Sequence, residues 1–145
     1  MKKKACSRSV EIRVLLVDDN ASFLEIESNF LSRQPEFKIV GSATSGEGAL
    51  TQVVNLRPDL VLMDLTMPGM NGMQATSQIK KQPNAPRIII VTLHDQPAYR
   101  EMCENAGADG FITKDNFGAA LVHMIHGLFD PTPAPRASSD SRTRN

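Results

Sequence analysis

Ile88-Ile89-Ile90-Val91 sets four β-branched residues in succession, with none of the polar alternation that a half-solvated strand would show. Such a run fits a strand covered on both faces, the hallmark of a parallel sheet. Four further short segments read as strands: Ile12 to Val17, Phe37 to Ala43, Leu60 to Met63 and Asp109 to Thr113.

Between the strands lie helical segments. Ala21 to Leu31 carries Phe23, Leu24, Ile26, Phe30 and Leu31 as apolar residues and is ended by Pro35. Ser45-Gly46-Glu47-Gly48 leads into a second helix through about Leu56, stopped by Pro58. Asn71 to Lys81 turns Met73, Ala75, Thr76 and Ile79 inward. Pro97 suits the first turn of a helix through Ala106, capped near Asp95 or Gln96 and closed by Gly107. Lys114-Asp115-Asn116 begins the last helix, with Phe117, Leu121, Val122, Ile125 and Leu128 as its stripe. Strands and helices in this alternation, joined by right-handed crossovers, predict a doubly wound α/β domain whose five-stranded parallel sheet has helices on both faces. The order 2-1-3-4-5 would set strands 1 and 3 side by side, so that the loops after Val17 and Met63 flank the switch-point crevice.

A chain of 145 residues with 41% hydrophobic content suits one domain with a real core. We expect a basic extension over 1–10, the folded domain over 11–129, and a disordered tail or linker stub over 130–145, which is rich in Pro, Ser, Thr and Arg. Sixteen basic residues balance sixteen acidic ones, so no whole-protein field favours nucleic acid or an anionic membrane. Cys6 and Cys103 form no Cys-x-x-Cys pair, and the sequence has neither a signal-peptide core nor a long apolar segment. A cytoplasmic protein is the expectation.

The run Val61-Leu62-Met63 ends in Asp64 and then breaks into a Pro-Gly loop. Taken alone, Asp64 reads as a solvated loop acid or a helix cap. In the predicted topology, however, Asp18, Asp19 and Asp64 emerge at the carboxyl ends of neighbouring strands. Three like charges there call for a cation, and Mg²⁺ works with one or two carboxylates, waters and phosphate oxygens. Thr92 and Lys114, closing strands 4 and 5, bring a hydroxyl and a fixed cation to the same edge.

These residues resemble the receiver domain of bacterial two-component response regulators over about Ile12 to Leu128. The matching elements are Val17-Asp18-Asp19, Met63-Asp64 with Met67-Pro68 and Asn71-Gly72, Val91-Thr92, Gly107-Ala108-Asp109-Gly110, and Phe111-Ile112-Thr113-Lys114. Thr92-Leu93-His94-Asp95 and Phe111-Ile112-Thr113-Lys114-Asp115 look most like the NarL/FixJ-like branch. The resemblance implies a flavodoxin-like (βα)5 fold in which Asp64 accepts a phosphoryl group from a sensor histidine kinase, a phosphotransfer protein or a small phosphodonor. Mg²⁺ would be held by Asp19, Asp64 and the Thr66 backbone carbonyl, with Asp18 acting through water. Thr92 and Lys114 would meet the phosphoryl oxygens, and Phe111 would move with Thr92 to change a partner-binding face. Such a domain is an enzyme only toward its own phosphorylation and dephosphorylation.

The sequence departs from the family pattern at Asp115, where many members have Pro after the lysine; Thr66 and His94 stand at positions that tune acyl-phosphate hydrolysis. Regulators of this branch usually continue into a DNA-binding helix-turn-helix domain, so the output lies either in a separate protein or in such a domain beyond Asn145. A homodimer is possible through helices 1 and 5 or the helix 4 face, and direct nucleic-acid binding by this chain is not expected. Two other functions stay open: a docking module that signals without phosphorylation, and a phosphatase of the haloacid dehalogenase type. The latter would need a second acid two residues after Asp64, where Thr66 stands.

Overall fold

The structure is a computed structural model that describes residues 11–129. The expected extension over 1–10, with Cys6, and the expected tail over 130–145 lie outside the described residues.

The chain runs β1 (Ile12–Val17), α1 (Ala21–Ser32), β2 (Phe37–Ala43), α2 (Gly46–Leu56), β3 (Leu60–Met63), α3 (Gly72–Lys80), β4 (Arg87–Thr92), α4 (Pro97–Ala106), β5 (Gly110–Thr113), a 3₁₀ turn (Lys114–Asn116) and α5 (Ala119–Phe129). All four strand pairs are parallel, as the alternation of elements predicts, and the order is the expected β2-β1-β3-β4-β5. β3 and β4 are apolar throughout their inner positions because both faces are covered. On one face, Leu15, Val17, Val61, Met63, Ile88 and Ile90 pack with Ala49 and Val53 of α2, Ala75 and Ile79 of α3 and Cys103 of α4. On the other, Val14, Leu16, Leu60, Leu62, Ile89 and Val91 pack with Leu31 of α1 and Leu121 and Ile125 of α5.

Helix starts follow local chemistry. The Asn20 side chain caps α1 by accepting from Phe23 N–H at 3.0 Å, and Ser45 caps α2 by accepting from Gly48 N–H at 3.0 Å. Asn71 and Gln74 form a reciprocal capping box on α3. At the amino edge of the sheet, Asp109 accepts from Ile88 N–H at 2.8 Å and pairs with Lys80 at 2.7 Å and Arg87 at 3.3 Å. That network ties α3, β4 and the start of β5 together.

Several expectations need correction. Lys114-Asp115-Asn116 does not begin the last helix: it forms the 3₁₀ turn, and Gly118 at φ 108° breaks the chain before α5 starts at Ala119. Phe117 therefore belongs to the loop and not to the α5 stripe. Ile26, counted with the apolar residues of α1, is 53% exposed. Two other boundaries fall where expected: α1 ends at Ser32, ahead of Pro35, and Gln96 takes the N-cap position of α4, though without a side-chain bond, while Asp95 pairs with Arg100 at 3.0 Å.

Candidate functional site at the carboxyl edge of the sheet

Strand register brings the acids together. Val17 pairs with Met63, so Asp18 and Asp64 leave adjacent strands at the same level. The ladder extends one step beyond the strands, with Asp64 N–H donating to the Val17 carbonyl at 2.9 Å and Asp18 N–H to the Ala43 carbonyl at 3.1 Å. Oxygen atoms of Asp18, Asp19 and Asp64 lie within 4.8 Å of one another. Asp18 and Asp64 are buried and Asp19 is exposed, which leaves the cluster open to solvent on one side.

The loop after β3 owes its path to Gly72. Gly72 N–H donates to the Leu65 carbonyl at 2.9 Å, and a Cβ at Gly72 would stand 2.1 Å from the Asp64 carbonyl oxygen. Only glycine allows that approach. Thr66 lies exposed in the same loop.

Lys114 reaches the cluster from the end of β5. Its Nζ lies 2.8 Å from Asp18 Oδ2 and 3.7 Å from Asp64 Oδ1, with its side chain only 11% exposed. Asp18 Oδ1 accepts from Asn20 N–H at 2.8 Å, so both oxygens of this acid are engaged. Thr92 is fully buried at the end of β4, and its Oγ1 accepts from His94 N–H at 3.2 Å. Phe111 is buried beside Ile90 on the neighbouring strand, with the Arg100 guanidinium carbon 4.5 Å from its ring centroid. His94 stacks at a tilt on Tyr99, centroids 5.4 Å apart. Asp115 is exposed.

The electrostatics follow from this crowding. Burial, with repulsion from Asp18, pushes the Asp64 carboxyl up to about 6 despite the opposing charge of Lys114. A fourth acid that sequence reasoning missed stands behind them. Glu27 of α1 is 1% exposed, its Oε1 has no hydrogen-bond partner, and burial, then repulsion from Asp18, pushes its carboxyl up to about 9. It is therefore neutral at pH 7. The signal was present in the spacing, since Glu27 interrupts the stripe formed by Phe23, Phe30 and Leu31.

Three carboxylates around one ammonium leave excess negative charge at an edge made of oxygen donors, one of them solvent-facing. A hard divalent cation that keeps several waters fits this donor set. A thiolate or imidazole metal does not, because among the described residues neither His nor Cys joins the group.

Sheet order and switch-point acids together define an α/β domain of the receiver class. The chain belongs to the response regulator receiver domain family, whose model matches residues 14–126. It is 36% identical over 124 residues to the transcriptional regulatory protein LiaR of Bacillus subtilis, covering 84% of this chain and 58% of that protein. A LuxR-family two-component response regulator from Aurantimonas sp. SI85-9A1 superposes with a TM-score of 0.78 at 33% identity, covering 89% of each chain. The receiver domain of the response regulator NarL from Mycobacterium tuberculosis gives a TM-score of 0.75 at 30% identity, over 83% of this chain and 95% of that one. The chain spans about half the length of the curated relatives it matches. Its relatives are thus NarL/LuxR-family regulators, and no helix among the described residues is long and apolar enough to cross a membrane.

Proposed function

We propose that this chain is a cytoplasmic, phosphorylatable receiver in which Asp64 accepts a phosphoryl group from the phosphohistidine of a sensor histidine kinase or phosphotransfer protein, or from a small acyl phosphate. The observation that carries this is the convergence of Lys114 and two further acids on a buried, strand-end Asp64. An Asp64 oxygen forms the new O–P bond as the donor's P–N or P–O bond breaks, giving a mixed anhydride. Asp64 must be ionised to attack, and a carboxyl near 6 is largely so at pH 7. Asp18, Asp19, Asp64 and the Thr66 carbonyl are the groups we assign to Mg²⁺; when bound, the ion would supply positive charge beside the phosphoryl oxygens. Lys114 supplies a second, fixed positive charge to those oxygens, so the domain works by positioning and electrostatics.

The product adds roughly −1.5 to −2 charge at the crevice. Lys114 then has a stronger partner than Asp18, and the Thr92 hydroxyl at the end of β4, now engaged by His94 N–H, is the donor that we assign to meet it. Phe111 on the neighbouring β5, level with Ile90, transmits the change to the face of α4, β5 and α5, where an output domain, a separate partner or a second copy would read it. Incubation with acetyl phosphate and Mg²⁺, read by intact mass, tests the reading. One phosphoryl adduct that disappears in Asp64→Asn supports it; an unlabelled wild type would leave phosphorylation-independent docking as the better account.

A further inference from the structure

A lysine is a four-carbon chain with freely turning bonds, so the placement of its charge has to come from what surrounds it. The loop that carries Lys114 supplies little. Its 3₁₀ turn has no side-chain cap, Asp115 and Asn116 are exposed, and Phe117 N–H reaches the Lys114 carbonyl only at 3.4 Å.

We propose that Phe23 and Phe117 are positioning residues for Lys114, the first holding its ammonium end and the second its backbone end. This rests on the reading of Lys114 as the cation that meets the phosphoryl group. Lys114 Nζ lies 4.5 Å from the Phe23 ring centroid, where the ring quadrupole attracts a cation. The Phe117 ring meets Phe23 at 5.6 Å and 68°, and Phe30 at 5.1 Å and 62°, both in the favoured edge-to-face arrangement. Phe23 and Phe30 stand two turns apart on one face of α1, so Phe117 is wedged between them, three residues after the lysine it anchors.

A chain of contacts closes around the same point. Phe23 N–H donates to the Asn20 side chain, Asn20 N–H donates to Asp18 Oδ1, Asp18 Oδ2 pairs with Lys114, and Lys114 lies over Phe23. The start of α1 and the loop after β5 therefore hold each other, and the acid pair and the lysine share one support. With the Phe117 ring gone, Lys114 keeps its attraction to Asp18 but its backbone loses the wedge. A positional error of about 1 Å in such a group costs as much as 100-fold in rate.

Two measurements test the assignment, one of them independent of phosphorylation. The Lys114 side-chain protons should resonate upfield of ordinary lysine because of the Phe23 ring. Phe23→Leu should abolish that shift, Phe117→Leu should reduce it, and Phe117→Tyr should retain it. Acetyl phosphate labelling at saturating donor should slow roughly 10–100-fold in Phe117→Leu, with a smaller change in donor KM, and recover in Phe117→Tyr. Wild-type Lys114 shifts in folded Phe117→Leu and Phe23→Leu overturn the proposal, whatever their labelling rates. Phe117→Met replaces Phe117→Leu in both arms if the latter does not fold. A wild type that takes no label defeats the receiver reading alone, while the resonance arm still decides whether the rings place the lysine.

Discussion

Lys114 pairs with Asp18 at 2.8 Å and stands farther from Asp64, at 3.7 Å. The cation thus neutralises the acid next to the acceptor and leaves the acceptor itself less tightly held. Asp18 is buried, its side chain 2% exposed, while that of Lys114 is 11% exposed, so the two ends of the pair are not equivalent. Lys114→Met strands a buried carboxylate among two others and should cost on the order of 3 kcal/mol in metal-free urea unfolding. Asp18→Asn also removes the pair but lowers the repulsion, and should cost under about 1 kcal/mol. Equal losses would mean that the pair is solvated.

Glu27 and Asp64 make the metal-free domain less stable as pH rises. Each has a folded pKa above its ordinary value, from 4.5 to about 9 for Glu27 and from 3.8 to about 6 for Asp64. Such a group binds more protons folded than unfolded, so its stabilising contribution is complete below the unfolded pKa and is lost as pH climbs through the folded one. For Glu27 the loss at pH 7 is on the order of 3 kcal/mol. Unfolding free energy measured without metal should fall from pH 5 to pH 8, and Glu27→Gln should flatten most of that slope. Mg²⁺ competes with the proton on Asp64, so it should stabilise the protein more at pH 7.5 than at pH 5.

Why Glu27 and Phe117 escaped the sequence while the sheet did not is a matter of what periodicity carries. The runs Leu60 to Met63 and Arg87 to Thr92 declare two-sided burial by themselves, and the alternation of strands and helices declares a parallel sheet. Asp18, Asp64, Thr92 and Lys114 were visible because each follows or closes such a run. Phe117 stands four residues before Leu121, so helical spacing assigns both to one stripe. The break between them lies in the Gly118 backbone at φ 108°, which no pattern of side chains reports. Glu27 shows the converse limit: its place on the stripe is legible, but whether a lone acid there turns to solvent or stays buried depends on the aromatic rings and strand ends around it.

Two glycines with opposite surroundings should respond oppositely to alanine. A Cβ at Gly72 would meet the Asp64 carbonyl oxygen at 2.1 Å and its carbon at 2.9 Å, both backbone atoms that cannot turn aside. Gly72→Ala should lose roughly 2–4 kcal/mol and displace the Asp64 loop, lowering acetyl phosphate labelling as well. A Cβ at Gly127, in α5, meets nothing within 4 Å. Gly127→Ala should gain roughly 0.5–1 kcal/mol in thermal or urea unfolding and leave labelling unchanged.

Asp109 contributes acid-sensitive stability at the edge opposite the site. Burial alone would raise its carboxyl, but hydrogen bonds from Lys80, Ile88 N–H and Arg87, with the Lys80 charge, hold it below the usual carboxylate range. The sign is therefore the reverse of that for Glu27: its contribution is present above the unfolded pKa of 3.8 and is lost as pH falls through the lower folded value. Asp109→Asn keeps the shape and one acceptor oxygen but removes the charge that balances Lys80, so it should cost roughly 1–3 kcal/mol at pH 7. As pH falls below 3.8 the variant and the wild type should draw together, because the unfolded wild-type carboxyl takes up its proton first and the charge's contribution is lost. The check is unfolding at pH 7 and pH 2.5 for both proteins, since a difference that persists in acid would assign the loss to packing and not to charge.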